Sequence, residues 1–466
     1  MVRAATVLRI RQVWIVPLVM AILLAAAMSA LYVGSVVNPA GHLHGLPVLV
    51  VNEDTGVAVH AQPVDIGGDI TTALRGAAAI NSRLKLTYVS LAQARAEMDR
   101  AGAFAALVIP STLTRSVLRA AGVSTPGKAP PANADVTLEE NLRLGSIGVS
   151  LASAVLTPAL AKISATIGAH LTSASTPAAR RNPVLAARIA DPVTLTTAQY
   201  RPLPDHTALG LSAFYIALLA LIGGFVLGTL SNQSADAALG YAATQLGPRY
   251  AQRRPVAINH RQSFLVKWAV GSVAAPLLSG MILLVSAVGL GMRAPDWLLL
   301  WTVLALACLM VMTGTLALLA TFGQIGQLLA MILLVYLSLA SSGGTVPIQA
   351  LPGIFQTIGH LEPLRNTLAG TRAILYFDAR GDAGLTHSFV VLALEFVFWA
   401  IFGLGFTSWY DHRKLDRLSP DLILAINRRT DQIVAERSEA SSDGPEAAGS
   451  DIPSSGGMPT DSSFSP

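Results

Sequence analysis

Several short stretches of this sequence carry residue types that could do chemistry. In VLVVNEDTGVAV (48–59), Glu53 and Asp54 follow a β-type run and admit a calcium or metal loop, a catalytic carboxylate pair, or a tight turn. An EF-hand loop needs oxygen ligands at alternate positions and a closing Glu, and none follows. A turn uses every residue, because Asn and Asp bond their own backbone and Gly56 supplies positive φ. On that reading Asp54→Asn is nearly silent. GVSTPGKA (122–129) has the Gly-x4-Gly-Lys spacing of a phosphate-binding loop, but lacks the terminal Ser or Thr that would hold magnesium and puts Pro126 where an amide should face phosphate. His42, His44, His60, His170 and His206 are scattered, with no His-Glu-x-x-His. No catalytic, cofactor or metal set emerges, so the chain reads as a non-enzyme. Glu395, in the apolar run LALEFVFW, is different: a carboxylate there costs about 2.5–3.5 kcal/mol to insert, so it faces the protein interior or an aqueous cavity, or is protonated. It is the candidate pathway or gating residue, set against a plain role as partner of an interior polar group.

The elements around these residues are those of a polytopic α-helical membrane protein. Of 466 residues, 52% are apolar and 13% charged, far below the globular norm of about a quarter charged. The net charge of +5 comes without a basic stripe interleaved with aromatics, which argues against nucleic acid as a partner. The lone Cys308 cannot form an intrachain disulfide. Six runs are long enough to cross a bilayer: 14–36, 209–230, 264–290, 297–320, 325–340 and 389–409. Basic residues fall at the N-terminus (Arg3, Arg9, Arg11), after the second run (Arg249, Arg253, Arg254, Arg261) and after the sixth (Arg413, Lys414, Arg417). This puts both termini in the cytoplasm of a plasma-membrane protein and residues 38–206 outside. The uncharged stretch 145–161, rich in Ser, Gly and Ala, reads as a helix of that outer domain rather than a seventh crossing.

The outer domain reads as α/β, inserted between helices 1 and 2. Strands are expected at 47–51, 84–89, 104–109 and 136–138, a helix capped by Ser90 and stopped by Gly102, a helix after Ser111, and a long helical region to 170. Residues 174–204 read as an irregular return to the membrane. The segment 341–375 is too apolar for a loop and too broken for a crossing; Gly343, Gly344, Pro347 and Pro352 mark it as a re-entrant lid within the five-helix domain 209–409. The cytoplasmic parts are the loop 231–263 and the tail 411–466, whose Ser-, Gly- and Pro-rich end from about 437 cannot bury a core.

An N-terminal crossing, LPVLVVNEDTG, AGAFAALVIPSTLT, five returning helices and SSGGTVPIQALPGIFQ before the last crossing together resemble the phage-infection-protein (YhgE/Pip) group of type-2 ABC transporter permeases over residues 1–415. The resemblance implies an exporter half: a homodimer, with ATP hydrolysed by a separate subunit and an interfacial helix at residues 1–13. It also implies an ATPase-contact loop carrying Asp236, Arg249, Arg253 and Arg254, in which Asp236 is the sole acid. The expected activity is export of a lipidic or amphiphilic substrate. The alternative is a non-transporting scaffold or secretion accessory whose outer domain binds a partner.

Overall fold

The computed structural model describes residues 11–59, 62–120, 135–174, 181, 183–246, 248–251, 253–415, 417 and scattered positions from 424 to 435. The interfacial helix expected at 1–13, the stretch 122–129, His60 and the tail from 437 fall wholly or mostly outside the described residues.

Helix α1 (Arg11–Met28) continues through a π turn at Ser29–Val33 to Val36, after which the chain enters a five-stranded sheet. Strand β1 (Leu46–Asn52) is paired along both edges and packed against a core on each face, so its run is apolar without alternation. Helix α2 (Ile66–Gly76) leads to β2 (Leu84–Tyr88). Helix α3 (Leu91–Asp99) then leads to β3 (Ala105–Ile109) on the other side of β1. Helix α4 (Leu113–Ala120) follows, then β4 (Asp135–Glu140), α5 (Ser146–Ala174), α6 (Pro183–Ala190) and β5 (Thr194–Gln199). The strand order is β2-β1-β3-β4-β5, parallel except for the antiparallel pair β3 and β4. Period-two geometry sends Val48 into a core with Ile70, Leu107 and Leu138, and Leu49 and Val51 into another with Ala94 and Met98 of α3. Ser90 makes the expected cap, a reciprocal capping box with Gln93.

Helix α5 is as long and apolar as a membrane span, yet Ala152, Leu156 and Leu160 are buried in the sheet's own core. Two pieces of this domain differ from expectation. The stretch 174–204 is not irregular: it contains α6 and β5. Strand β5, TLTTAQ, is an edge whose side chains are almost all exposed, so its only signal is β-branched threonine rather than an apolar run. Helix α2 starts at an Asp65 cap, whose carboxylate takes the amide of Gly68, but its glycines and threonines mask it as a loop.

The motif at 52–56 is a turn, and more than a turn. The Asn52 side chain accepts from the Asp54 amide at 3.0 Å, and Gly56 has φ +66°. The Asp54 carboxylate is buried, and its Oδ2 accepts from the amides of Gly67 (3.1 Å) and Thr114 (3.2 Å) and from the Thr114 hydroxyl. That hydroxyl in turn accepts from the amide of Ile66 at 2.8 Å. One carboxylate thus caps the starts of both α2 and α4. The chain leaves β1 for β2 on one side and returns to β3 on the other, the switch point where parallel sheets commonly admit a ligand. Here the protein's own acid fills that place, so a near-silent Asp54→Asn is not what this geometry supports.

The remaining helices are α7 (Ser212–Ala238), α8 (His260–Leu284), α9 (Trp297–Phe322), α10 (Gln324–Ala330, continuing through a π turn to Ser341), α11 (Pro363–Tyr376) and α12 (Leu385–His412). With α5, the helices 212–238, 260–289, 297–322, 324–341 and 385–412 make six that are long and apolar enough to span a membrane. This is a multi-pass membrane protein. Large apolar side chains such as Val273, Leu277 and Leu394 are exposed, which suits contact with lipid tails. Helix α9 is the central post, buried along most of its length. Helix α7 meets it through Gly224 and Gly228, where a Cβ would lie 2.7 Å from the Cys308 carbonyl and 2.8 Å from Thr315 Cβ. This small-xxx-small spacing lets the two backbones approach.

Candidate functional site

The segment after α10 is built by its glycines and prolines. Gly343 takes φ +67°, and a Cβ on Gly344 would collide with the Phe214 ring at 2.1 Å. Pro347 precedes the short turn Ile348–Ala350, Pro352 precedes the helix Gly353–Ile358, and Pro363 opens α11, the position where a missing amide costs nothing. Val346, Ala350, Leu351 and Phe355 of this segment are buried in the same core as the sheet. Gly343 and Pro347 border a cavity of about 400 Å³, whereas Gly344 and Pro352 do not. Its opposite wall comes from the α/β domain, at Pro47, Phe104 and Leu144, and α11 contributes Arg365, Leu368 and Arg372. Arg372 donates from Nη2 to the Gly344 carbonyl at 3.0 Å, holding α11 to the turn. At the rim Arg100 Nε lies 3.0 Å from Asp382, both side chains about half exposed.

Glu395, the acid singled out in the sequence, lies in α12, and it is not alone. Its Oε1 is 3.5 Å from the Asn366 amide nitrogen, and its Oε2 is buried with no hydrogen-bond partner among the described residues. Asn366 also donates to the Glu362 carbonyl oxygen at 2.9 Å, and Glu362 accepts from the Ser338 hydroxyl at 2.5 Å. Helices α10, α11 and α12 therefore meet at a polar knot with one buried carboxyl, Glu362, and one half-buried, Glu395. The Asn366 amide thus bridges the Glu362 backbone and the Glu395 carboxyl, and Glu395 Oε2 is the oxygen left over. An unpartnered carboxyl oxygen inside a helical bundle is a candidate for proton exchange or for a cationic partner. Sequence reasoning missed Glu362 because HLEPL looks like a helix entry. Its signal was the spacing to Asn366, one turn on along the same face.

Asp236, at the end of α7, is engaged by Arg417 at 2.8 Å, and Arg417 also covers the Tyr241 ring. Arg249 begins the second strand of a hairpin, Thr244–Leu246 with Arg249–Ala251. Arg253 and Arg254 are exposed, and Arg254 pairs with Asp431. These residues belong to one compact unit, 236–259 with 415 onward; the cavity and the carboxyl knot belong to the other. Among the histidines, His44 Nδ1 sits 2.7 Å from the backbone oxygen of His42, a local loop contact.

A family model described as a protein of unknown function (DUF3533) matches residues 16–414. No curated protein matches the chain.

Proposed function

The chain belongs to the DUF3533 family, and we propose that it is the membrane permease of a type-2 ABC-like exporter that moves a lipidic or amphiphilic substrate out of the cytoplasm. The observation that supports this most is the cavity where the Gly343 and Pro347 turn, α11 and the α/β domain meet. It combines apolar walls with arginine and opens between two layers of the protein, the kind of space an amphiphile needs. Glu362, buried, and Glu395, half-buried, on helices that pack together, supply an ionisable element for gating.

In this reading α1 with its extension to Val36, together with α7, α8, α9, α10 and α12, crosses the plasma membrane, and α5 covers the sheet. Both termini are cytoplasmic and the α/β domain is extracytoplasmic. The working unit is a homodimer. The chain has no complete phosphate-binding loop, so ATP is hydrolysed by a separate subunit docking near Arg249, Arg253 and Arg254. Purification of the intact chain in mild detergent tests this. A co-purifying nucleotide-binding subunit is expected; partners held only through the α/β domain would replace the permease with a scaffold.

A further inference from the structure

Arg365 and Arg372 are seven residues apart on α11, which places them on one face about 10 Å apart, with Leu368 and Ala369 between them. All four border the cavity. Arg365 Nη1 and Arg372 Nε are buried and have no hydrogen-bond partner among the described residues. Neither guanidinium has a carboxylate within ion-pair distance there. The aspartate at the rim, Asp382, is taken by Arg100 and by Arg380, at 3.0 Å each. Buried cations without counter-charges are costly, and the cost is recovered when an anion binds. Guanidiniums approaching from two levels suit an oxyanion that presents several oxygens, as phosphate does. Beyond them the wall is apolar, at Phe104, Leu144, Ile348 and Phe377.

We propose that this cavity binds a phosphate-bearing amphiphile, with Arg365 and Arg372 on the phosphate and the apolar wall on the first carbons of its tail. The inference deepens the permease reading and rests on it for the tail; the phosphate rests on the arginines.

Binding is read without transport, so the two claims fail separately. The full-length chain in a neutral maltoside detergent is titrated with dioctanoyl phosphatidylglycerol, dioctanoylglycerol or inorganic phosphate, following thermal stabilisation. Saturable stabilisation by the phospholipid alone is expected. Arg365→Gln and Arg372→Gln each weaken it by about tenfold, the worth of one charge-assisted contact. Ala369→Phe, which fills the cavity and keeps both charges, abolishes it. If either Gln variant does not fold, Arg365→Lys and Ala369→Phe carry the test. Equal stabilisation by dioctanoylglycerol would overturn the phosphate, equal stabilisation by inorganic phosphate would overturn the lipid, and unchanged binding in the folded variants would overturn the site.

Discussion

Replacing Asp54 tests whether one carboxylate holds the α/β domain together at its switch point. The Oδ2 atom receives two backbone amides and a hydroxyl, all buried or nearly so. Asp54→Ala leaves these donors without an acceptor. At about 1–3 kcal/mol for each orphaned group, and with less than full additivity, the loss is about 3–6 kcal/mol. Asp54→Asn keeps an acceptor oxygen at that point, because all three donors converge on one atom. It loses the charge, which two helix N-termini favour by about 0.3–1 kcal/mol each, together with the charge assistance of the hydrogen bonds, giving about 1–2 kcal/mol. Thr114→Val breaks the same relay from the other side, removing the acceptor for the Ile66 amide. Amide hydrogen exchange of α2 and α4 in the full-length protein is the assay. Exchange there should accelerate by about tenfold in Asp54→Asn, much more in Asp54→Ala, with the bundle helices unchanged. Parental exchange in Asp54→Asn would refute the double cap and restore the simple turn.

Burial raises the Glu140 carboxyl above its ordinary 4.5. The folded state therefore holds that proton more tightly, and stability is lost as pH rises from 4.5 through the raised value. Glu140→Gln should melt higher than the parent at neutral pH, with the difference vanishing below pH 4.5. Gly224→Val should separate α7 from α9, since its Cβ meets backbone atoms that cannot yield. A loss of about 2–4 kcal/mol is expected, read as a lower detergent-denaturation midpoint, whereas Gly405→Ala in open space is silent. Glu395→Gln should retain folding and alter the rate of substrate movement; an unchanged rate removes the gating role.

The parts of the fold legible in the sequence were those whose signal is local. Strands β1, β2 and β3 are short apolar runs, Ser90 and Gln93 stand at capping distance, and the bundle helices are long apolar runs. Strand β5 was illegible because an exposed edge needs no apolar pattern. Asp54 was half legible: the turn chemistry lies within five residues, but Thr114 lies 60 positions away and only the sheet topology brings it near. The same holds for the site. Glu395 stood out because its surroundings are apolar, while Glu362 was hidden beside a proline. Arg365, Arg372 and Arg380 stand between the fifth and sixth apolar runs, and two of them line the cavity. A charge count cannot tell an arginine in a loop from one facing a pocket.

The proposed permease carries an amphiphile across the membrane. The most direct measurement uses inverted membrane vesicles from cells with and without the chain, following ATP-dependent loss of a fluorescent short-chain phospholipid from the outward-facing cytoplasmic leaflet. ATP-dependent movement that requires the chain and changes in Glu395→Gln is expected. Equal movement in vesicles lacking the chain would contradict it.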